Sequence, residues 1–207
     1  VTRPPRPAPP PDGGLVAILP GSRKGEVDRH LPLLLSALRE LRRERPEARG
    51  IVGAANDASR ARIQRAVARD GIAGITVVTG AQNALRDADA AWVASGTAVL
   101  EAALSGVPSV ALYVVTPILV KHARTMIRHR FITLPNLVLG RAIVPELLQE
   151  EASPQRLRDE MEAILRDPSI QYGALSGLRA ALGPADALGQ CAAFAVSLAR
   201  GNPALPA

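Results

Sequence analysis

Apolar and polar positions along this chain fall into two alternating patterns. Short apolar runs occur at Leu15–Leu19, Ile51–Ala55, Ile75–Thr79, Ala90–Ala94 and Ser109–Tyr113. Continuous runs of this length suit strands buried on both faces of a parallel sheet. Between the runs the period changes. After the first run, Leu31, Leu34, Leu35, Leu38 and Leu41 form one helical stripe. The opposite face carries Arg39, Arg42, Arg43 and Arg45 among Glu40 and Glu44, and His30 falls on the flank. Asp57 is a candidate N-cap for a helix reaching about Asp70. A helix from about Ala98 to Leu104 meets a glycine-then-proline stop at Gly106-Val107-Pro108. Beyond Tyr113 the pattern becomes mostly helical, over roughly 117–129, 145–151, 154–166 and 184–200. Strands separated by helices mean βαβ units, so the predicted class is α/β: a Rossmann-like parallel sheet flanked by helices. The strand order is not legible from the pattern.

The organisation follows from the same pass. Residues 1–14 hold six prolines and Gly13-Gly14, and read as an extended, poorly ordered leader. Residues 15–183 read as one domain, and 184–207 as a C-terminal helix and tail. No apolar run reaches the roughly 18 residues of a membrane-spanning helix. Arg3 and Arg6 have no apolar stretch behind them, so the start does not read as a secretory signal. The single cysteine, Cys191, excludes an internal disulfide, fits a reducing compartment, and is expected to be a small buried hydrophobe. Trp92 is expected in the core. With one cysteine and three histidines, no metal site is expected.

Charge sharpens the picture. The net charge is +6, but residues 1–130 carry 19 Lys/Arg against 11 Asp/Glu, and residues 131–207 carry 6 against 8. A basic front part calls for an anionic partner. Nucleic acid is disfavoured, because five aromatic residues cannot build a stacking platform. A phosphorylated metabolite or a membrane surface remains. The stretch 118–131 interleaves Ile118, Leu119, Val120, Ile127 and Phe131 with Lys121, Arg124, Arg128 and Arg130. It suits an anionic membrane surface, and equally a core-facing helix with a solvated basic face.

In open parallel sheets ligands bind beyond the carboxyl ends of the strands. Three segments there carry candidate chemistry. Pro20-Gly21-Ser22-Arg23-Lys24-Gly25-Glu26 joins the first strand to the first helix, where Gly21 permits close approach and backbone N–H groups face an anion. Ser22 and Arg23 add a hydroxyl and a bidentate cation. The spacing matches neither a dinucleotide fingerprint nor a Walker loop. A tight turn with solvated charges is the alternative. Ser95-Gly96-Thr97 with Glu101 follows the fourth strand, and Glu101 lies one turn beyond Thr97. A carboxylate there can accept from a ribose diol; side-chain capping by Ser95 or Thr97 explains the same spacing. Ser95 is not read as a hydrolase nucleophile, since no nucleophile elbow surrounds it. The third segment holds Asn136, then Glu146 and Gln149, three apart and placed on one face near a helix start. Pro145 and Glu146 also suit simple helix capping there.

As an ordered set, these segments resemble the C-terminal half of the lipid-A-disaccharide synthases. The pattern runs through Leu19-Pro20-Gly21-Ser22-Arg23 with Glu26, and Val93-Ala94-Ser95-Gly96-Thr97 with Leu100-Glu101-Ala102-Ala103. It continues through Leu134-Pro135-Asn136-Leu137, and Gly140-Arg141 through Val144-Pro145-Glu146-Leu147-Leu148-Gln149. The resemblance covers about residues 15–200 and implies a GT-B glycosyltransferase. It implies transfer of a diacylglucosamine from UDP to an acylated glucosamine phosphate in lipid A biosynthesis, without cofactor or metal. Carried over, Gly21, Ser22 and Arg23 would face the diphosphate, and Arg23 would stabilise the departing UDP. Ser95, Gly96 and Thr97 would approach the nucleotide, Glu101 would hold the ribose, and Asn136, Glu146 and Gln149 would line the donor pocket.

The resemblance also sets limits. The half that supplies the acceptor site and catalytic base in this family has no counterpart here, so little or no turnover is expected from this chain alone. The expected partners are the UDP-sugar, the acylated acceptor, an inner-membrane surface, and an N-terminal-half chain or a second copy. The expected location is cytoplasmic, at the periphery of that membrane. Leu188, Ala192, Ala195 and Leu198 form a stripe on the last helix that calls for a covering partner. Other UDP-sugar families of the same architecture, such as the peptidoglycan glucosaminyltransferase or a 2-epimerase, share the Ser-Gly…Glu logic. A non-catalytic UDP-binding module is the remaining alternative.

Overall fold

The computed structural model describes residues 8–116, 131–183 and 186–199. Six parallel strands form one sheet in the order β3-β2-β1-β4-β5-β6. They are β1 (Leu15–Leu19), β2 (Arg49–Ala54), β3 (Ile75–Thr79), β4 (Ala90–Ala94), β5 (Ser109–Tyr113) and β6 (Glu146–Leu148). The helices are α1 (Lys24–Leu41), α2 (Asp57–Asp70), α3 (Ala81–Leu85), α4 (Thr97–Leu104), α5 (Leu134–Leu139), α6 (Pro154–Arg166), α7 (Ser169–Leu175), α8 (Leu178–Ala181) and α9 (Ala187–Ala199).

Strand alternation divides the core into two layers. Val16, Ile18, Val52, Trp92, Val110 and Leu112 face α1 and α6, meeting Leu34, Leu38, Leu157 and Met161. Ala17, Leu19, Ala91, Val93 and Ala111 face the other way, toward Leu85, Val99 and Ala102 of α3 and α4. Both faces are covered, which is why the strands read as unbroken apolar runs. Trp92 is fully buried, as expected, and its indole N–H donates to the Leu157 carbonyl at 3.1 Å. The order in which successive strands join the sheet reverses between β1 and β4, which pair directly and in parallel. That reversal leaves a crevice beyond their carboxyl ends.

The five long runs form strands within a residue or two of their expected bounds. Several local expectations do not hold. The expected helix 145–151 is the three-residue strand β6 followed by a 3-10 turn at Gln149–Glu151. Pro145 there is a strand-edge residue whose carbonyl accepts from Ala111. Asn56, not Asp57, caps α2, accepting from Ser59 N at 2.9 Å; Asp57 instead accepts from the Thr79 hydroxyl at 3.0 Å. Side-chain capping of α4 is also absent: Gly96 is its N-cap. Short helices α3, α5, α7 and α8 carry too few turns for a periodic signal. Cys191 is exposed, because α9 offers most of its surface to solvent.

Two residues expected on the outside of α1 are buried. Arg45 sits against Glu162 of α6, with Nε to Oε2 at 2.5 Å, and donates to the carbonyls of Pro10 and Gly13. Residues 10–14, expected to belong to a poorly ordered leader, are held here by this guanidinium. Glu162 keeps a carboxyl pKa below its ordinary value. Burial alone would raise it, but hydrogen bonds and charge from Arg45 and Arg166 outweigh that cost. His30 is also fully buried. Its Nδ1 lies 2.9 Å from the Pro20 carbonyl, and its Nε2 lies 3.2 Å from both the amide nitrogen and the carbonyl oxygen of Val114. His30 thus ties the loop after β1 to the end of β5.

The expected helix 117–129 and nearly all of the basic stretch 118–131 lie outside the described residues. On α9, Ala192, Ala195 and Leu198 are exposed; the side chain of Leu188 lies outside the described residues. Among the described residues, no helix is long and apolar enough to cross a membrane, and no cluster of His, Cys, Asp or Glu is arranged to hold a metal ion.

Candidate functional site

The crevice beyond β1 and β4 opens into a cleft of about 410 Å3. One wall is Gly21, Ser22, Arg23 and Glu26; the other is Ser95, Gly96, Thr97, Ala98 and Glu101. Gly53, Ala54, Ala55, Gly80 and Ala81 close the side toward β2 and β3. Seven of the ten expected site residues therefore meet in one place.

The two walls are built differently. On the β1 side, Gly21 adopts φ +111, and a Cβ there would stand 2.5 Å from Glu26 Oε2. Only glycine fits that close approach. Glu26 folds back over the loop. Its Oε2 accepts from Ser22 N–H at 3.0 Å and Arg23 N–H at 3.2 Å, and its Oε1 pairs with Arg23 Nη1 at 2.9 Å. Burial alone would raise the Glu26 carboxyl, but these hydrogen bonds and the Arg23 charge hold its pKa below the ordinary value. Arg23 itself is 84% exposed and reaches into solvent at the cleft mouth.

On the β4 side, Gly96 turns the chain at φ 157, ψ −160, and α4 begins without a side-chain cap. Gly96, Thr97 and Ala98 at this helix start line the cleft, with the positive end of the helix dipole behind them. Glu101 lines the same wall, and its carboxylate makes no hydrogen bond or ion pair among the described residues. This wall presents a helix start without a side-chain cap beside an unengaged carboxylate, a pairing that suits phosphate next to a diol.

Asn136, Glu146 and Gln149 do not join the cleft. Glu146 accepts from Ile132 N, Thr133 N, the Thr133 hydroxyl and Asn136 Nδ2, all between 2.7 and 3.0 Å. Asn136 is buried, donates to the Val144 carbonyl, and accepts from the Ile143 and Val144 amides. Gln149, at φ +50, accepts from Val115 N at 3.1 Å. The three side chains thus grip Val115 on one side of residues 117–130 and Ile132–Thr133 on the other. Sequence reasoning missed the small residues Gly53, Ala55, Gly80 and Ala81, since absent side chains leave no motif.

Residues 9–175 match the sequence profile of the lipid-A-disaccharide synthetase family. The chain belongs to that family. Its relatives include the lipid-A-disaccharide synthases of Pseudomonas paraeruginosa, 37% identical over 172 residues, and Myxococcus xanthus, 39% identical over 167. The first match covers 83% of this chain and 46% of the relative; the second covers 81% and 44%. The chain therefore spans about half the length of these lipid-A-disaccharide synthases.

Solved structures agree on the fold. A putative UDP-N-acetylglucosamine 2-epimerase from Listeria monocytogenes superposes with a TM-score of 0.53 at 16% identity, covering 79% of this chain and 39% of that one. TarM of S. aureus, in complex with fondaparinux, alpha-GlcNAc-glycerol and UDP, gives 0.54 at 12%, covering 87% and 34%. The shared part, a parallel sheet flanked by helices, makes up between a third and two fifths of each of those longer chains.

Proposed function

We propose that this chain is the donor-binding half of a lipid A disaccharide synthase, holding UDP-diacylglucosamine in the cleft between β1 and β4. The observation that carries the reading is the convergence of Gly21–Arg23 and Ser95–Glu101 on one cleft in a chain of this family. The first amides of α4 and the loop at Arg23 take the diphosphate, and Glu101 accepts from the ribose hydroxyls. Breaking the bond between the anomeric carbon and the β-phosphate oxygen leaves charge on UDP. Arg23 stabilises that charge as it develops. The acceptor hydroxyl of the acylated glucosamine phosphate forms the new bond and loses its proton to a base. That base lies outside this cleft, where Glu101 is engaged by ribose and Glu26 lies against the loop that takes the diphosphate. The remaining half of the enzyme, present in the longer relatives, supplies it together with the acceptor site.

Asn136, Glu146 and Gln149 act as positioning residues in this reading. They fix both flanks of the segment 117–130, whose Lys121, Arg124, Arg128 and Arg130 suit an inner-membrane surface. The exposed face of α9 is the contact for the other half or for a second copy.

Calorimetric titration with UDP tests the reading. The wild-type chain binds, and Glu101→Ala weakens binding about tenfold, the loss of a charged hydrogen-bonding partner. A folded chain that ignores UDP overturns it. UDP-diacylglucosamine binding more tightly than unacylated UDP-glucosamine separates this function from other UDP-sugar enzymes and from a bare UDP-binding module.

A further inference from the structure

The loop assigned to the diphosphate is already occupied. Three of the donors it offers to an anion, the Ser22 amide, the Arg23 amide and Nη1 of the Arg23 guanidinium, are engaged by the single carboxylate of Glu26. The carboxylate lies directly over the loop, so close to Gly21 that no Cβ could stand between them. An incoming diphosphate cannot share those donors, because it would set like charges in contact with Glu26. We propose that Glu26 is a built-in competitor, which fills the anion seat of the free protein and is displaced when a diphosphate arrives.

The inference rests on the cleft being the UDP-sugar site. Glu26 sits in the first turn of α1, three residues from Arg23, so the competing carboxylate is tethered at an effective concentration of millimolar order or above. A ligand bearing one weakly placed charge does not outcompete it; a diphosphate, with several charge-assisted contacts, does. The β4 wall holds no such competitor: α4 starts on Gly96 with no side-chain cap. The seat therefore fills in order, nucleotide contacts on the β4 side first and the Arg23 loop second. After displacement Glu26 remains at the N-terminal turn of α1, where a carboxylate is still favourable. The displaced state therefore keeps part of the stabilisation of the engaged one.

The experiment is UDP titration of wild type, Glu26→Gln, Glu26→Asp and Glu101→Ala, with a thermal melt for each. Glu26→Gln removes the charge that competes, and is expected to bind UDP about three- to tenfold more tightly than wild type. Glu26→Asp keeps the charge but is one methylene too short to reach both amides, and should bind more tightly than wild type by a smaller factor. It also keeps an acidic first turn, so it reports even where Glu26→Gln melts early. Weaker binding by both Glu26 variants, with Glu101→Ala weakened as well, overturns the competitor and leaves the UDP site standing. No UDP binding by any folded variant overturns both.

Discussion

The cleft wall at Ser95–Glu101 and the network at Asn136–Glu146 draw on the same chemistry, amides facing a carboxylate, and use it oppositely. In the network every group is matched: Glu146 takes four donors and Asn136 bonds three backbone groups of residues 143–144. In the cleft wall, α4 begins without a side-chain cap and the Glu101 carboxylate has no protein partner among the described residues. Both motifs look like site signatures in sequence. Satisfied polar groups hold structure, while unsatisfied ones at a cleft remain available to a ligand. The comparison predicts that substitutions separate cleanly, costing stability in the braced regions and affinity in the cleft.

The largest effect should come from the other braced group, Arg45. Glu162→Ala leaves a guanidinium of 4% side-chain exposure without its charged partner. A loss of about 3–5 kcal/mol in urea unfolding is expected, the usual cost of breaking a buried pair from one side. The same residue gives a pH signature. Its folded pKa lies below the unfolded value of 4.5, so its contribution is fully present above 4.5 and is lost as pH falls through the folded pKa. Glu162→Gln should flatten that acid limb of the stability curve; an unchanged limb contradicts the assignment.

Asn136→Ala comes next. It strips the Ile143 and Val144 amides of their acceptor in a buried setting. About 2–3 kcal/mol should be lost, with UDP affinity unchanged in the folded fraction. An affinity loss at constant stability would return Asn136 to the ligand site. The smallest effect on the fold belongs to Arg23→Ala. An exposed guanidinium contributes within about 0.5 kcal/mol to stability, whereas UDP binding should weaken about tenfold.

How much of this was legible in the chain depends on the length of each signal. Five strands buried on both faces announce themselves as apolar runs, and α1 as a leucine stripe over about three turns. β6 has three residues, too few for alternation, and Pro145 before it imitates a helix start. The strand order, which creates the crevice, has no local signature at all. In the site, Gly21 and Gly96 were legible because backbone conformation demands glycine there. Residue spacing could not show that Glu146 turns toward Thr133 and away from the cleft, because that depends on pairing between β5 and β6. Arg45 and His30 were misread for the same reason: their partners, Glu162, Pro20 and Val114, lie 117, 10 and 84 residues away.

The division between cleft and brace is tested most directly by amide chemical-shift mapping of the labelled 21.7 kDa chain during UDP titration. The account predicts shifts at Gly21, Ser22, Arg23, Gly96, Thr97 and Ala98, and none at Ile132, Thr133, Ile143 or Val144. Shifts centred on the second group, with the first unmoved, would contradict it.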